Sequence, residues 1–262
     1  MQYQDILYEV QNGAAFLTLN RPEKLNALTW HSWSEVAHAV EQADADDNVR
    51  VLVITGAGAG FCSGNDVTNI GQRRQSEDGN RSRQTRSRFS PVPDLMASQK
   101  PSIAAVNGVA AGSGLALCLA CDIRIASTEA CFIAAWSRRA LVPDFGATFL
   151  LPRVIGMEQA MSMVYTGDPV GARTALEMGL VSKLADPSEL MAHANGLAAR
   201  IASGPPLAME MTKRLMYRSW LRELNDQIWL EDGFQSICVR SEDFQEGVRS
   251  FLEKRSPQFK GR

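Results

Sequence analysis

Lys100-Pro-Ser-Ile-Ala-Ala-Val-Asn-Gly-Val-Ala-Ala-Gly-Ser-Gly114 is an apolar, strand-like run that ends abruptly in a small-residue turn and opens a second apolar segment. The first N–H groups of a helix have no partners inside it, and Gly112, Ser113 and Gly114 carry too little side chain to shield them from an oxyanion. A second turn of this kind, Ala59-Gly-Phe-Cys-Ser-Gly-Asn-Asp66, follows the strand-like Val49-Arg-Val-Leu-Val-Ile-Thr55. Two amide-rich turns, each just after a strand, that converge on one carbonyl oxygen would polarise it and stabilise an enolate.

The chain has 262 residues, 45% of them hydrophobic, enough for one large domain or for a domain with a small appendage. A formal net charge of −2 argues against general nucleic-acid binding, and no apolar run is long enough to span a bilayer. The opening Met-Gln-Tyr-Gln-Asp lacks the basic-then-apolar pattern of a secretory signal. Cysteine usage points the same way: Cys62, Cys118, Cys121, Cys131 and Cys238 are odd in number and sit mostly in apolar segments, which suits buried thiols in a reducing cytoplasm. Cys118 and Cys121 form a lone CxxC with no second Cys or His pair nearby, and read as core packing rather than as a metal or redox site.

Alternation from Ile6 to Val10 and from Phe16 to Leu19 predicts a hairpin turning at Asn12-Gly13. A helix is expected from Thr29, its cap, to Ala43. Strand signals recur at 49–55, 103–106 and 123–126 between helix-like segments, a strand-strand-helix cadence that implies stacked parallel strands. Residues 1–204 read as this α/β core. Residues 205–262 read as almost wholly helical, with apolar residues recurring at three- and four-residue spacing through Leu215, Leu221, Leu224, Ile228, Phe244 and Phe251. The segment Gln72 to Phe89 is the one break in composition, rich in Arg, Ser, Gln and Asn, and reads as a solvated surface excursion, with contact between its arginines and phosphate as the alternative.

The motifs Leu19-Asn-Arg-Pro-Glu-Lys-Leu-Asn-Ala-Leu28, both amide turns, Leu151-Pro-Arg-Val-Ile-Gly156, Thr166-Gly-Asp168 and Glu246-Gly-Val-Arg-Ser-Phe-Leu-Glu-Lys-Arg255 resemble the crotonase (enoyl-CoA hydratase/isomerase) superfamily over nearly the whole chain. That resemblance implies a crotonase-type spiral of strand-strand-helix repeats and a C-terminal helical region that trimerises, two such trimers stacking into a hexamer. It implies a coenzyme A thioester as substrate and no further cofactor. Matched residue by residue, the oxyanion-hole donors are the N–H groups of Asn65 and Ser113. Relatives most often carry glycine at position 113, so the serine hydroxyl is either an extra hydrogen-bonding group or a tolerated small residue. Lys24, Leu25 and Ala27 match the family's nucleotide-binding loop, Lys24 near phosphate and the other two near adenine. Phe251 and Lys254 match positions that reach the adenine end, often across a subunit boundary.

In hydratases of this superfamily two glutamates handle the water; the matching positions hold Ala116 and Trp136, neither of which can move a proton. A carboxylate appears instead at Asp144, in Leu141-Val-Pro-Asp-Phe-Gly-Ala147. The Val-Pro-Asp turn, the Leu-Leu-Pro-Arg-Val run and the ending Lys-Arg-Ser-Pro-Gln-Phe resemble the phenylacetate-pathway isomerase type, which acts on the ring-epoxide of phenylacetyl-CoA and shifts isolated enoyl double bonds. One carboxylate can remove the α-proton and return it at the γ-carbon, with Phe145, Trp136 and Phe89 as apolar walls that exclude water and raise its basicity. A turn or helix-capping role before Gly146 is the bland alternative for Asp144. The pairing of Trp136 with Asp144 also resembles chlorobenzoyl-CoA dehalogenase, in which the Asp attacks the ring, although Phe89 stands where that enzyme has a His base. A third reading is a non-catalytic acyl-CoA binder, which an Asp144 facing solvent away from the Asn65 and Ser113 amides would favour.

Overall fold

The computed structural model describes residues 3–66, 91–220 and 222–262. Phe89, Leu221 and the arginine-rich stretch 72–89 lie outside the described residues. The opening hairpin forms as predicted. β1 (Ile6–Gln11) and β2 (Ala14–Leu19) pair antiparallel, and Asn12 and Gly13 take φ of 52° and 78°, the left-handed pair that a two-residue hairpin turn requires. Thr29 caps α1 (Trp30–Ala45): its hydroxyl accepts from the Ser32 N–H at 3.1 Å, and Ser32 Oγ accepts from the Thr29 N–H at 3.1 Å.

From β2 onward the chain makes three similar passes. Each lays one strand in a larger sheet and the next in a smaller one: β3 (Val51–Gly56) then β4 (Gly60–Cys62), β5 (Ser102–Val106) then β6 (Val109–Ala111), β7 (Ile123–Ser127) then β8 (Cys131–Ile133). With β9 (Val170–Gly171) and β10 (Lys183–Ala185) the two sheets read β1-β2-β3-β5-β7-β10 and β4-β6-β8-β9. Pairing is parallel except at the hairpin and at β9. This is the crotonase-type spiral, and the cadence of the sequence is its one-dimensional trace.

Alternation along the strands divides the interior. Leu52 and Ile54 of β3, with Ala104 and Val106 of β5, join the main core, whereas Val51, Val53, Ile103 and Ala105 face α7 (Leu190–Ala202) through Leu190, Ala194 and Ala198. Before α7 come α2 (Pro91–Ala97), α3 (Ser113–Ala120), α4 (Ala147–Ile155), α5 (Met157–Thr166) and α6 (Ala172–Glu177). Every residue of α3 is buried, which is why its sequence shows no polar face. Cys118 and Cys121 lie inside it and at its end; burial pushes the Cys118 thiol up to about 12 and the Cys121 thiol well above its ordinary value, as a packed, protonated pair. No described helix is long and apolar enough to cross a membrane.

The C-terminal region is helical as expected, in α8 (Pro206–Ser219), α9 (Leu224–Val239) and α10 (Glu242–Glu253). A buried lysine fastens it to the core. Lys213 of α8 donates to the carbonyls of Leu95 at 3.0 Å and Lys100 at 2.9 Å and lies 3.0 Å from Asp122 Oδ2, while Tyr217 donates to Asp122 Oδ1 at 2.7 Å. Asp122 also accepts from the Ser102 N–H and hydroxyl, so a single carboxylate ties β5, β7 and α8 together. Lys213→Met removes the donor from three acceptors and leaves a charge short of its partner, a loss of about 3 kcal/mol. That corresponds to a fall in Tm of about 6–12 °C. Differential scanning calorimetry showing an unchanged Tm would mean that α8 docks by apolar contact alone.

Candidate active site

Both predicted amide turns leave the small sheet at the same edge. Asn65 lies three residues beyond β4, Ser113 two beyond β6 and Trp136 three beyond β8, so all three emerge at the C-terminal ends of adjacent parallel strands, where open parallel sheets bind ligands. The turns touch. A Cβ on Gly114 would overlap the Cys62 carbonyl and lie 2.7 Å from Cys62 Cβ, and a Cβ on Gly64 (φ +103°) would lie 2.9 Å from the Ala111 carbonyl oxygen. Only glycine permits either approach, and burial at this contact pushes the Cys62 thiol up to about 12.

The direction of each N–H follows from where its peptide carbonyl is held. The Gly64 carbonyl accepts from the Leu28 N–H at 2.8 Å, and the Asp66 N–H donates to the Leu28 carbonyl at 2.9 Å, a parallel bridge. In a planar trans peptide the N–H opposes the C=O, so the Asn65 N–H points away from Leu28. The Gly112 carbonyl takes the first helical bond of α3, from the Ala116 N–H at 3.0 Å, and the Ser113 N–H therefore points out of the helix start. Among the described residues neither N–H has an acceptor. The Ser113 hydroxyl is buried as well, with no hydrogen-bond partner among the described residues.

Trp136 is 4% exposed, packs in the main core and donates its indole N–H to Asp144 Oδ1 at 2.9 Å. Asp144 does not cap a helix: α4 starts from Gly146, φ +79°, with no side-chain bond at its cap, and Asp144 offers only its backbone carbonyl, to the Ala147 N–H. The residue is exposed, and its link to the Asn65 turn runs through the next residue. Its neighbour Phe145, at φ 51°, stacks on Trp33 with centroids 4.7 Å apart, and Trp33 donates to the side chain of Asn65 at 2.8 Å. Ala116 is buried in α3 and carries nothing that moves a proton. Among the described residues two further acids are already engaged: Glu35 accepts from the backbone of Gln4 and Asp5 and pairs with His31, and Asp66 pairs with Arg21 at 3.2 Å.

The Arg21–Leu28 loop is shaped by Asn26. Buried at φ 57°, its side chain accepts from the Arg21 N–H and donates to the carbonyls of Ala57 and Gly60, which leaves Lys24 and Leu25 exposed and Ala27 half-buried beside the Asn65 turn. Phe251 and Lys254 lie elsewhere in this chain. Phe251 is 82% exposed on α10, and Arg255 beside Lys254 grips Glu246 at 2.6 and 2.9 Å, drawing that carboxyl down to about 2. Among the described residues no hydrogen bond or ion pair joins Phe251 or Lys254 to the Lys24 loop. Sequence reading missed Trp33 and Asn26. Trp33 carries only the signal of an apolar position on a helix, and Asn26 that of a polar loop residue.

A family model for enoyl-CoA hydratase/isomerase matches residues 9–262. The chain is 39% identical to the 1,2-epoxyphenylacetyl-CoA isomerase of Escherichia coli over 98% of both chains, and 32% identical to the short-chain-enoyl-CoA hydratase of Clostridium acetobutylicum over the whole of both. The crystal structure of an enoyl-CoA hydratase from Bacillus anthracis superposes with a TM-score of 0.90 at 31% identity, covering 99% of this chain and 100% of that one. The chain belongs to the enoyl-CoA hydratase/isomerase family and is an enzyme of the crotonase superfamily. Its relatives bear hydratase and isomerase names alike. Gly114→Ala tests the contact on which the site rests: the added methyl must displace Cys62 or the start of α3, and should cost about 1–3 kcal/mol. A variant as stable as the parent in urea would show that the two turns are not held together there.

Proposed function

We propose that the chain is an enoyl-CoA isomerase, taking a β,γ-unsaturated or epoxy-aryl-acetyl coenzyme A thioester. The supporting observation is the hydrogen bond from Trp136 to Asp144, which ties a carboxylate to a tryptophan that follows β8 as the amide turns follow β4 and β6, together with Ala116 and Trp136 standing where the resemblance places water-activating glutamates. In this reading the thioester oxygen lies between the Asn65 and Ser113 N–H groups. Asp144 Oδ takes a proton from the α-carbon, electron density moves onto that oxygen as a dienolate, and the same carboxyl returns the proton at the γ-carbon. Phe145 and Trp136 wall the acyl group, and Lys24, Leu25 and Ala27 receive the nucleotide.

Asp144→Asn separates proton transfer from positioning, since an amide oxygen still accepts from Trp136. Isomerisation of a 3-enoyl-CoA should fall on the order of 10²–10⁴-fold with coenzyme A binding nearly intact. Most of the activity surviving would sink the assignment, as would crotonyl-CoA hydration at the rate of an ordinary hydratase. The same indole–carboxylate pair supports a second reading, an aryl-CoA dehalogenase in which Asp144 is the nucleophile. Rapid mixing with a halobenzoyl-CoA would then leave a covalent ester on Asp144, which the isomerase reading excludes.

We extend the proposal to a trimer-based assembly, a hexamer of two stacked trimers. It is supported by the apolar surface of the C-terminal helices, where Leu224, Trp229, Phe251 and Leu252 are each more than 70% exposed in the single chain. Phe251 and Lys254 would then complete the adenine pocket of a neighbouring copy, and dissociation would weaken coenzyme A binding as well as stability. Light scattering at micromolar concentration should give three or six times the chain mass. A monomer that binds acyl-CoA tightly would refute both the assembly and the shared pocket.

A further inference from the structure

We infer that Trp33 is a positioning residue of the acyl-CoA site, one that holds the oxyanion turn and the Asp144 turn in a fixed relation; the inference rests on the acyl-CoA reading given above. Trp33 is 1% exposed in the first turn of α1 and makes two directed contacts. Its indole N–H donates to Asn65 Oδ1 at 2.8 Å, and its ring lies against Phe145 at 4.7 Å between centroids with 14° between the planes. Each contact meets a residue whose backbone needs help. Asn65 follows Gly64 at φ +103°, a conformation glycine leaves as easily as it enters, so the Gly64–Asn65 peptide is held by the Leu28 bridge and by whatever fixes the Asn65 side chain. Phe145 stands at φ 51°, sparsely populated for a bulky residue and sustained only when its surroundings over-determine it.

A buried indole needs an acceptor, and many would serve a purely structural role. Here the acceptor belongs to the residue whose N–H would polarise the thioester, and the ring face belongs to the residue after the carboxylate. A tryptophan joining those two points keeps the polarising donor and the proton carrier in register, and pre-organised donors lose their value when displaced by a fraction of an ångström. Removing the indole should therefore lower kcat and leave nucleotide affinity alone, because Lys24, Leu25 and Ala27 are positioned by Asn26 and not by Trp33.

The test uses a dimethylaminocinnamoyl-CoA probe, whose absorption moves to the red when its thioester carbonyl is polarised, and so reads the amide pair without turnover. Trp33→Phe keeps an aromatic face and drops the donor. Its bound probe should show a smaller red shift than the parent, and its kcat on a 3-enoyl-CoA should fall about 10-fold with KM within about threefold. Asn65→Ala keeps the backbone N–H and drops the acceptor, and should match Trp33→Phe. The double variant should be no worse than either single one, since both remove the same link. An unchanged shift and kcat in Trp33→Phe would overturn the inference, and so would additive losses in the double variant, which would mean that the two side chains act separately. Failure of the parent protein to bind and shift the probe would overturn the acyl-CoA reading first and this one with it. A parent that shifts the probe yet isomerises nothing would overturn only the assigned reaction, with the probe arm still deciding the role of Trp33.

Discussion

The site depends on the approach of Gly114 to the carbonyl of Cys62. At that point the start of a fully buried helix meets the end of a strand one pass earlier in the spiral, with no side chain between them. Were the two held apart by a methyl group, each turn could keep its local shape and the proposed pair would still fail, because in that reading one oxygen atom must reach both amides at hydrogen-bonding distance. The rest of the fold makes the contact unavoidable. β4, β6 and β8 are adjacent and parallel, so their C-terminal ends share an edge, and the large sheet behind them fixes their spacing through strands of the same three passes.

Once the turns are together, their polarity is set by bonds on the far side of each peptide. Leu28 holds the Gly64 carbonyl and Ala116 holds the Gly112 carbonyl, which turns the Asn65 N–H away from Leu28 and the Ser113 N–H out of the start of α3. The donors are thus aimed before any ligand arrives, and no bond has to be broken to free them. Their surroundings add to the effect: α3 is enclosed by core on all sides, and in so apolar a setting a hydrogen bond to a developing negative charge is worth more than it would be in water. The buried Ser113 hydroxyl, without a partner among the described residues, belongs to the same undersatisfied polar surface.

How much of this was legible in the chain follows from the distance over which each feature is encoded. Asn12-Gly13 specifies a hairpin by local backbone preference, Thr29 specifies a helix start by its own hydroxyl, and both formed where expected. The amide turns were legible because a strand, a glycine and a small residue within a dozen positions suffice to describe them. Asp144 was legible only through resemblance, and its partner Trp136, eight residues away, came with it. Trp33 and Lys213 were not legible. Trp33 finds Asn65 across 32 positions and Lys213 finds Leu95 across 118, and in the sequence each shows merely an apolar or a charged residue at helical spacing. Pairings of that kind exist only after the spiral closes, and no local period carries them.

The division between what backbone and side chains supply also explains why relatives with hydratase and isomerase names share one architecture. In the proposed reading the polarising donors are main-chain groups fixed by strand order and by two glycines, so they would survive nearly any exchange of chemistry. By the resemblance, hydratases carry their proton-moving side chains at positions 116, in the first turn of α3, and 136, on the loop between β8 and α4, positions whose identity the strand framework does not constrain. In this chain the first holds alanine and the second holds tryptophan, and the carboxylate proposed to carry the proton, on Asp144, accepts from that tryptophan. A helix that keeps its small residue packs without change, and a loop that gains an indole must find it an acceptor. Asp144 answers that need, so in the proposed reading the residue that replaces a water-activating group at position 136 also fixes the proton-carrying carboxylate.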